Sequence, residues 1–73
     1  MMKPLQDVSF YPIEGIWRDV YGNVLADFLA SYDLVIDDRM EFARMHDYER
    51  KITIWYRASA GKVRITIWRL EIL

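Results

Sequence analysis

Along the last third of the chain, apolar and polar positions alternate with a period of two. Ile52, Ile54 and Tyr56 interleave with Thr53, Trp55 and Arg57, and Val63, Ile65 and Ile67 interleave with Arg64, Thr66 and Trp68. Alternation carried by β-branched and aromatic residues predicts strands. Between the two runs, Ala58, Ser59, Ala60, Gly61 and Lys62 form a loop-sized break with a glycine for a positive-φ position. The pattern predicts an antiparallel hairpin in which residues 51–57 return as residues 63–70. Desolvation sets its register: Ile52 and Ile54 beside Ile65 and Ile67 make one face aliphatic. A one-residue slip would set isoleucines beside Trp68, Thr66 and Arg64 and bury charge. The second face then carries Thr53, Trp55, Arg57, Arg64, Thr66, Trp68 and Leu70. The tetrapeptide at 52–55 recurs at 65–68, which the shared alternation explains; it is too short for a repeat architecture.

Upstream the signals are weaker. Residues 1–7 carry no pattern and are expected to fray. Residues 8–11 are β-prone and are expected to halt at Pro12, which suits an edge or a strand end. Residues 16–21 are also β-prone, until Gly22 and Asn23 break the run. From Val24 the period changes: Val24, Leu25, Phe28, Leu29 and Tyr32 share one face at helical spacing. This predicts a helix over about 24–33, capped by Asn23 and open to extension through Val35 and Ile36. Residues 39–49 admit two readings. Their residue types favour helix, with Asp38 and Glu41 resembling a capping box. Met40 and Phe42, however, alternate with Glu41, the tetrad at 46–49 suits a turn, and an isolated hairpin needs a third strand beside it. The strand reading is preferred. The expected fold is α+β: one small domain, with an antiparallel sheet of three to four strands and one helix.

Composition agrees with a packed core. The 73 residues are 53% hydrophobic and 15% aromatic, well above a disordered chain, and contain no cysteine for disulfides or thiolate metal sites. A chain this short buries only about 60% of its unfolded surface, so large side chains, self-association or a partner must help. No run approaches the roughly 18 apolar residues of a membrane span. Residues 1–7 lack the apolar core of a secretion signal, so a cytoplasmic location is expected. The net charge of −1 conceals an asymmetry. Residues 1–38 hold two basic residues against seven acidic ones, net −5; residues 39–73 hold eight against four, net +4. The halves can neutralise each other within the fold or show opposite signs to partners.

Candidate chemistry is sparse. His46 has no second histidine and no suitable orienting neighbour, so a solvated turn histidine is expected. Asp33, Asp37 and Asp38 lack the loop spacing of a hard-cation site. The glycines are scattered, and no serine sits in a nucleophile elbow. No catalytic residue, metal or cofactor is expected, and the chain is read as a non-enzyme.

Seven of the ten basic residues are arginine, the cation suited to bidentate and stacking contacts. Trp55, Arg57, Arg64, Trp68 and Arg69 form the candidate partner-binding set, since Trp and Arg are enriched at interface hot spots. The competing expectation is that the helix covers this face and the rings fill the core. A short chain of this size, without a catalytic constellation, resembles phage-encoded regulators of bacterial RNA polymerase. The resemblance is of size and type and transfers no residue. It implies a non-catalytic module that binds a larger host complex, such as a polymerase subunit, and modulates or inhibits transcription. Two alternatives are a small β-type nucleic-acid binder, disfavoured by the sequence pI of about 5.7, and an obligate homodimer. A small RNase leaning on His46 and the sheet arginines is likewise disfavoured by the net charge. No membrane partner is expected.

Overall fold

The computed structural model describes residues 1–36 and 40–71. In chain order they form β1 (Met2–Ile13), β2 (Ile16–Arg18), α1 (Leu25–Ser31), β3 (Phe42–Asp47), β4 (Ile52–Ser59) and β5 (Lys62–Leu70). The strands make one antiparallel sheet in the order β2-β1-β5-β4-β3. The fold is α+β, as expected, with five strands among the described residues rather than three to four.

The central hairpin follows the predicted face assignment. Ile54 lies opposite Ile67, Tyr56 opposite Ile65 and Ala58 opposite Val63, while Ile52 faces Arg69 rather than another isoleucine. The connection is shorter than predicted, only Ala60 and Gly61, with Gly61 at φ +77°. Glycine takes that conformation without the Cβ penalty other residues meet. On the other side of β4, β3 settles the ambiguity of residues 39–49 as strand from Phe42 onward. The capping box with Asp38 lies outside the described residues.

The N-terminal segment departs most from expectation. β1 starts at Met2, runs through both prolines, and pairs Met2 through Phe10 along β5. The terminal amine donates to the Glu71 carbonyl at 2.9 Å, so residues 1–7 are held rather than frayed. Prolines fit because each part of β1 is paired on one side only: residues 2–10 with β5, residues 11–13 with β2. Pro4 also adjoins a bulge, where the register shifts between Pro4 and Gln6. β2 is three residues long instead of spanning 16–21, because the chain turns at Asp19. The Asp19 carboxylate accepts from the amides of Tyr21 (2.9 Å) and Asn23 (2.8 Å) and from the Asn23 side-chain amide (2.9 Å).

That turn takes Asn23 away from the helix. Val24 occupies the N-cap position of α1 without a side-chain cap. At the other end Asp33 adopts φ +56°, its amide donates to the Ala30 carbonyl, and the Leu34 amide donates to the Leu29 carbonyl. This Schellman closure stops the helix before Val35 and Ile36, and returns Leu34 to the core. Phe28 stands edge-on to Phe10, with centroids 5.5 Å apart.

The helix and the residues after it cover the aliphatic face. Phe10, Ile54, Ile65 and Ile67 are essentially inaccessible, and Leu25, Phe28, Leu29, Leu34 and Ile36 pack around them. No helix among the described residues is long and apolar enough to cross a membrane.

Ile65→Ala should lower unfolding free energy by about 2–5 kcal/mol, read from urea titration, because the fully buried site cannot collapse around the lost atoms. Hydrogen bonding from Asn23 foremost, and from the Tyr21 amide, holds the Asp19 carboxyl below its ordinary range. A lowered folded value stabilises the protein above the unfolded pKa of about 3.9, and that stabilisation disappears as pH falls through the folded value. Thermal midpoints should therefore hold steady down to about pH 5 and decline below about pH 4. Asp19→Asn, which cannot titrate, should flatten part of that decline.

Candidate functional site

α1 packs on the aliphatic side, and the opposite face of the sheet carries the exposed rings of Phe42 and Trp55, with Tyr48 of the turn after β3 setting its ring 6.2 Å from that of His46. Strand alternation brings Trp55, Arg57, Arg64 and Trp68 onto this face, four of the five residues expected from sequence. It does the same for Thr53 and Thr66. Arg69 is not among them. It lies opposite Lys3 and Ile52, at the end of the aliphatic face, because its parity is that of Ile65 and Ile67. The strand period overrides its adjacency to Trp68. Tyr56 is likewise buried on the aliphatic side.

Pairing of β3 with β4 adds two residues that sequence reasoning did not place here. Phe42 lies opposite Arg57, and Arg44 opposite Trp55. Their spacing of two, matched to the alternation of β4, was the readable signal. Phe42 meets Trp55 edge-on at 5.7 Å between centroids. The Arg44 guanidinium sits 5.3 Å from the Trp55 ring centre, and Arg57 sits 5.9 Å from that of Phe42. Both rings remain accessible, Trp55 at 36% and Phe42 at 49%. Together with Met2, Arg57, Arg64 and Trp68 they line an open depression of about 560 Å³.

The acidic partner on this face is Asp7, from β1. Arg64 donates to it in bidentate fashion, Nε to Oδ1 at 2.9 Å and Nη2 to Oδ2 at 2.6 Å. The hydrogen bonding from Arg64 holds the Asp7 carboxyl below the ordinary carboxylate range, aided by the charges of Arg64 and Lys62. The pair links the acidic and basic halves of the chain, but nothing local in the sequence marks residues 57 positions apart. Arg44 and Arg57 have no carboxylate partner among the described ion pairs. The face is therefore locally positive, although the whole chain is slightly acidic.

His46 is a strand residue on this face, not the expected turn residue. It lies opposite Thr53, with Nδ1 2.9 Å from the threonine hydroxyl. Asp47 alternates to the other face, and its carboxylate accepts from the Arg50 amide (3.0 Å) and Nε (2.6 Å). Among the described residues no carboxylate hydrogen-bonds the imidazole. Among the described residues no group of three or more His, Cys, Asp or Glu is gathered to hold a metal ion. Asp33 serves the helix end, and Asp37 and Asp38 lie outside the described residues. This arrangement can bind groups that are both apolar and anionic, with rings to cover and guanidiniums to bridge.

Trp55→Ala should cost no more than about half of the ~3–5 kcal/mol typical of a core aromatic. Arg64→Ala should cost less than about 1 kcal/mol, since both partners in its ion pair are half in water. Chemical denaturation of each variant checks both values, and core-sized losses would assign the face to the interior.

Comparison of the chain with protein-family models, with curated proteins and with solved structures gives no significant match.

Proposed function

We propose that the protein is a non-catalytic interaction module that docks a larger protein on the open face of its sheet. The observation carrying this reading is the guanidinium–ring arrangement at Trp55, Phe42, Arg44 and Arg57. Surface tryptophan and arginine at the centre of a concave apolar patch are the side chains that dominate protein–protein binding energy. Stacking limits the conformational freedom of the guanidiniums before a partner arrives, so less entropy is lost when they bond carboxylates.

The same arrangement weighs against the nucleic-acid reading, which the local positive charge of this face would otherwise favour. Sheet platforms for single strands stack bases on free ring faces. Here Arg44 stands over Trp55, Arg57 over Phe42, and Phe42 itself abuts Trp55. A net charge of −1 also provides no long-range attraction for a polyanion.

The size and type of the chain make bacterial RNA polymerase the first partner to test, with modulation of transcription as the activity. Immobilised full-length chain should retain its partner, and Trp55→Ala and Arg57→Ala should each weaken retention by at least about tenfold. Circular dichroism melts should show both variants still folded. Unchanged retention by two folded variants would move the interface elsewhere. Binding to a single-stranded oligonucleotide that falls steeply with salt would replace the protein reading with the nucleic-acid one.

A further inference from the structure

The sheet ends on β3, and its pairing identifies which main-chain groups face outward. The Ala58 amide donates to the Glu41 carbonyl at 2.8 Å, just beyond the strand's start. Inward bonding alternates along an antiparallel strand, so Ala43, Met45 and Asp47 also bond towards β4. Phe42, Arg44 and His46 then turn their amides and carbonyls away from the sheet. No described residue outside the strands bonds to them. The side chains of these same three residues stand on the open face.

Exposed edges are normally blunted, and elsewhere this sheet follows that rule. The free side of β1 carries Pro4, which has no amide hydrogen, and the bulge after it. β2 is only three residues long. β3 has neither proline nor bulge, and starts at the exposed ring of Phe42.

We infer that the outer edge of β3 is a strand-addition site for an extended acidic segment of the partner protein, which pairs with Phe42, Arg44 and His46. The inference rests on the reading of the open face as a protein-docking surface, and names how the partner engages it. Charge complementarity selects an acidic segment. A side chain opposite Arg44 would stand on the same face as Arg44 and Arg57, neither of which has a carboxylate partner among the described ion pairs. Positions of the other parity would lie beside the half-buried Ala43 and Met45 and take small apolar side chains. A second copy of the chain fits poorly. Antiparallel self-pairing that uses all three outward residues sets Arg44 directly opposite its own counterpart, and like charges so placed repel.

The test uses the isotopically labelled full chain and an acetylated octapeptide of alternating Glu and Val, with a Lys/Val peptide as control. At about ten times its dissociation constant, the acidic peptide should slow hydrogen exchange of the Phe42, Arg44 and His46 amides about tenfold. The basic peptide should leave them unchanged. Arg44→Glu should reverse the preference, and His46→Pro, which deletes one outward amide, should weaken the acidic peptide with Arg44 intact. Shifts confined to Trp55 and Trp68, with the β3 amides exchanging at their free rate, would overturn strand addition and leave the face reading standing. No response to millimolar acidic peptide would also overturn it. Protection of the same amides without peptide, alongside a concentration-dependent dimer in sedimentation, would assign the edge to a second copy instead.

Discussion

Ile54 against Ile67 and Tyr56 against Ile65, with Phe10 alongside on β1, is the contact on which the rest of the molecule depends. These side chains are removed from water, and burying aliphatic and aromatic groups is the main favourable term open to a chain with no disulfide. Strand geometry then leaves no freedom for the alternate positions. Once Ile54, Ile65 and Ile67 point inward, Trp55, Arg64, Thr66 and Trp68 point the other way. The helix must sit where the aliphatic groups are, and a seven-residue helix about 10 Å long can cover one face of the sheet, not two. Among the described residues, a second face left free of the helix follows from having two faces and one short helix.

How that face tolerates water is a matter of side-chain chemistry. Arginine carries a long apolar stem beneath a charged head, and can shield a ring while keeping its charge hydrated. Arg44 over Trp55 and Arg57 over Phe42 do this. The surface so formed keeps its charges hydrated while leaving the rings of Trp55 and Phe42 accessible. Its groups are more exposed than the buried isoleucines of the opposite face.

Charge is distributed by the same topology. The acidic residues of the first half are largely used locally or turned to other surfaces. Asp19 closes the turn before the helix and Asp33 ends it, while Asp7 crosses to neutralise Arg64. The basic second half supplies three of the five strands, so Arg44, Arg57 and Arg64 line the open face with Asp7 as the carboxylate among them. A nearly neutral chain thereby acquires a positive, aromatic surface.

Much of this was legible in the sequence. The period-two alternation at 52–57 and 63–68 determined the hairpin, its face assignment and the identity of its outward residues, because parity is a local property of a strand. The helical spacing of Leu25, Phe28 and Leu29 determined α1 for the same reason. What the sequence left open was decided by partners distant in the chain. Residues 2–7 become strand because β5 pairs with them, contacts across 59 to 68 positions that no local pattern encodes. Residues 42–47 become strand because β4 presents an unpaired edge. Arg69 leaves the candidate site and Phe42, Arg44 and Asp7 join it, since membership of a face depends on which strands are neighbours. Tertiary structure also decided which face the helix covers: its apolar stripe loses water most favourably against isoleucines, and the arginines opposite would have had to surrender theirs.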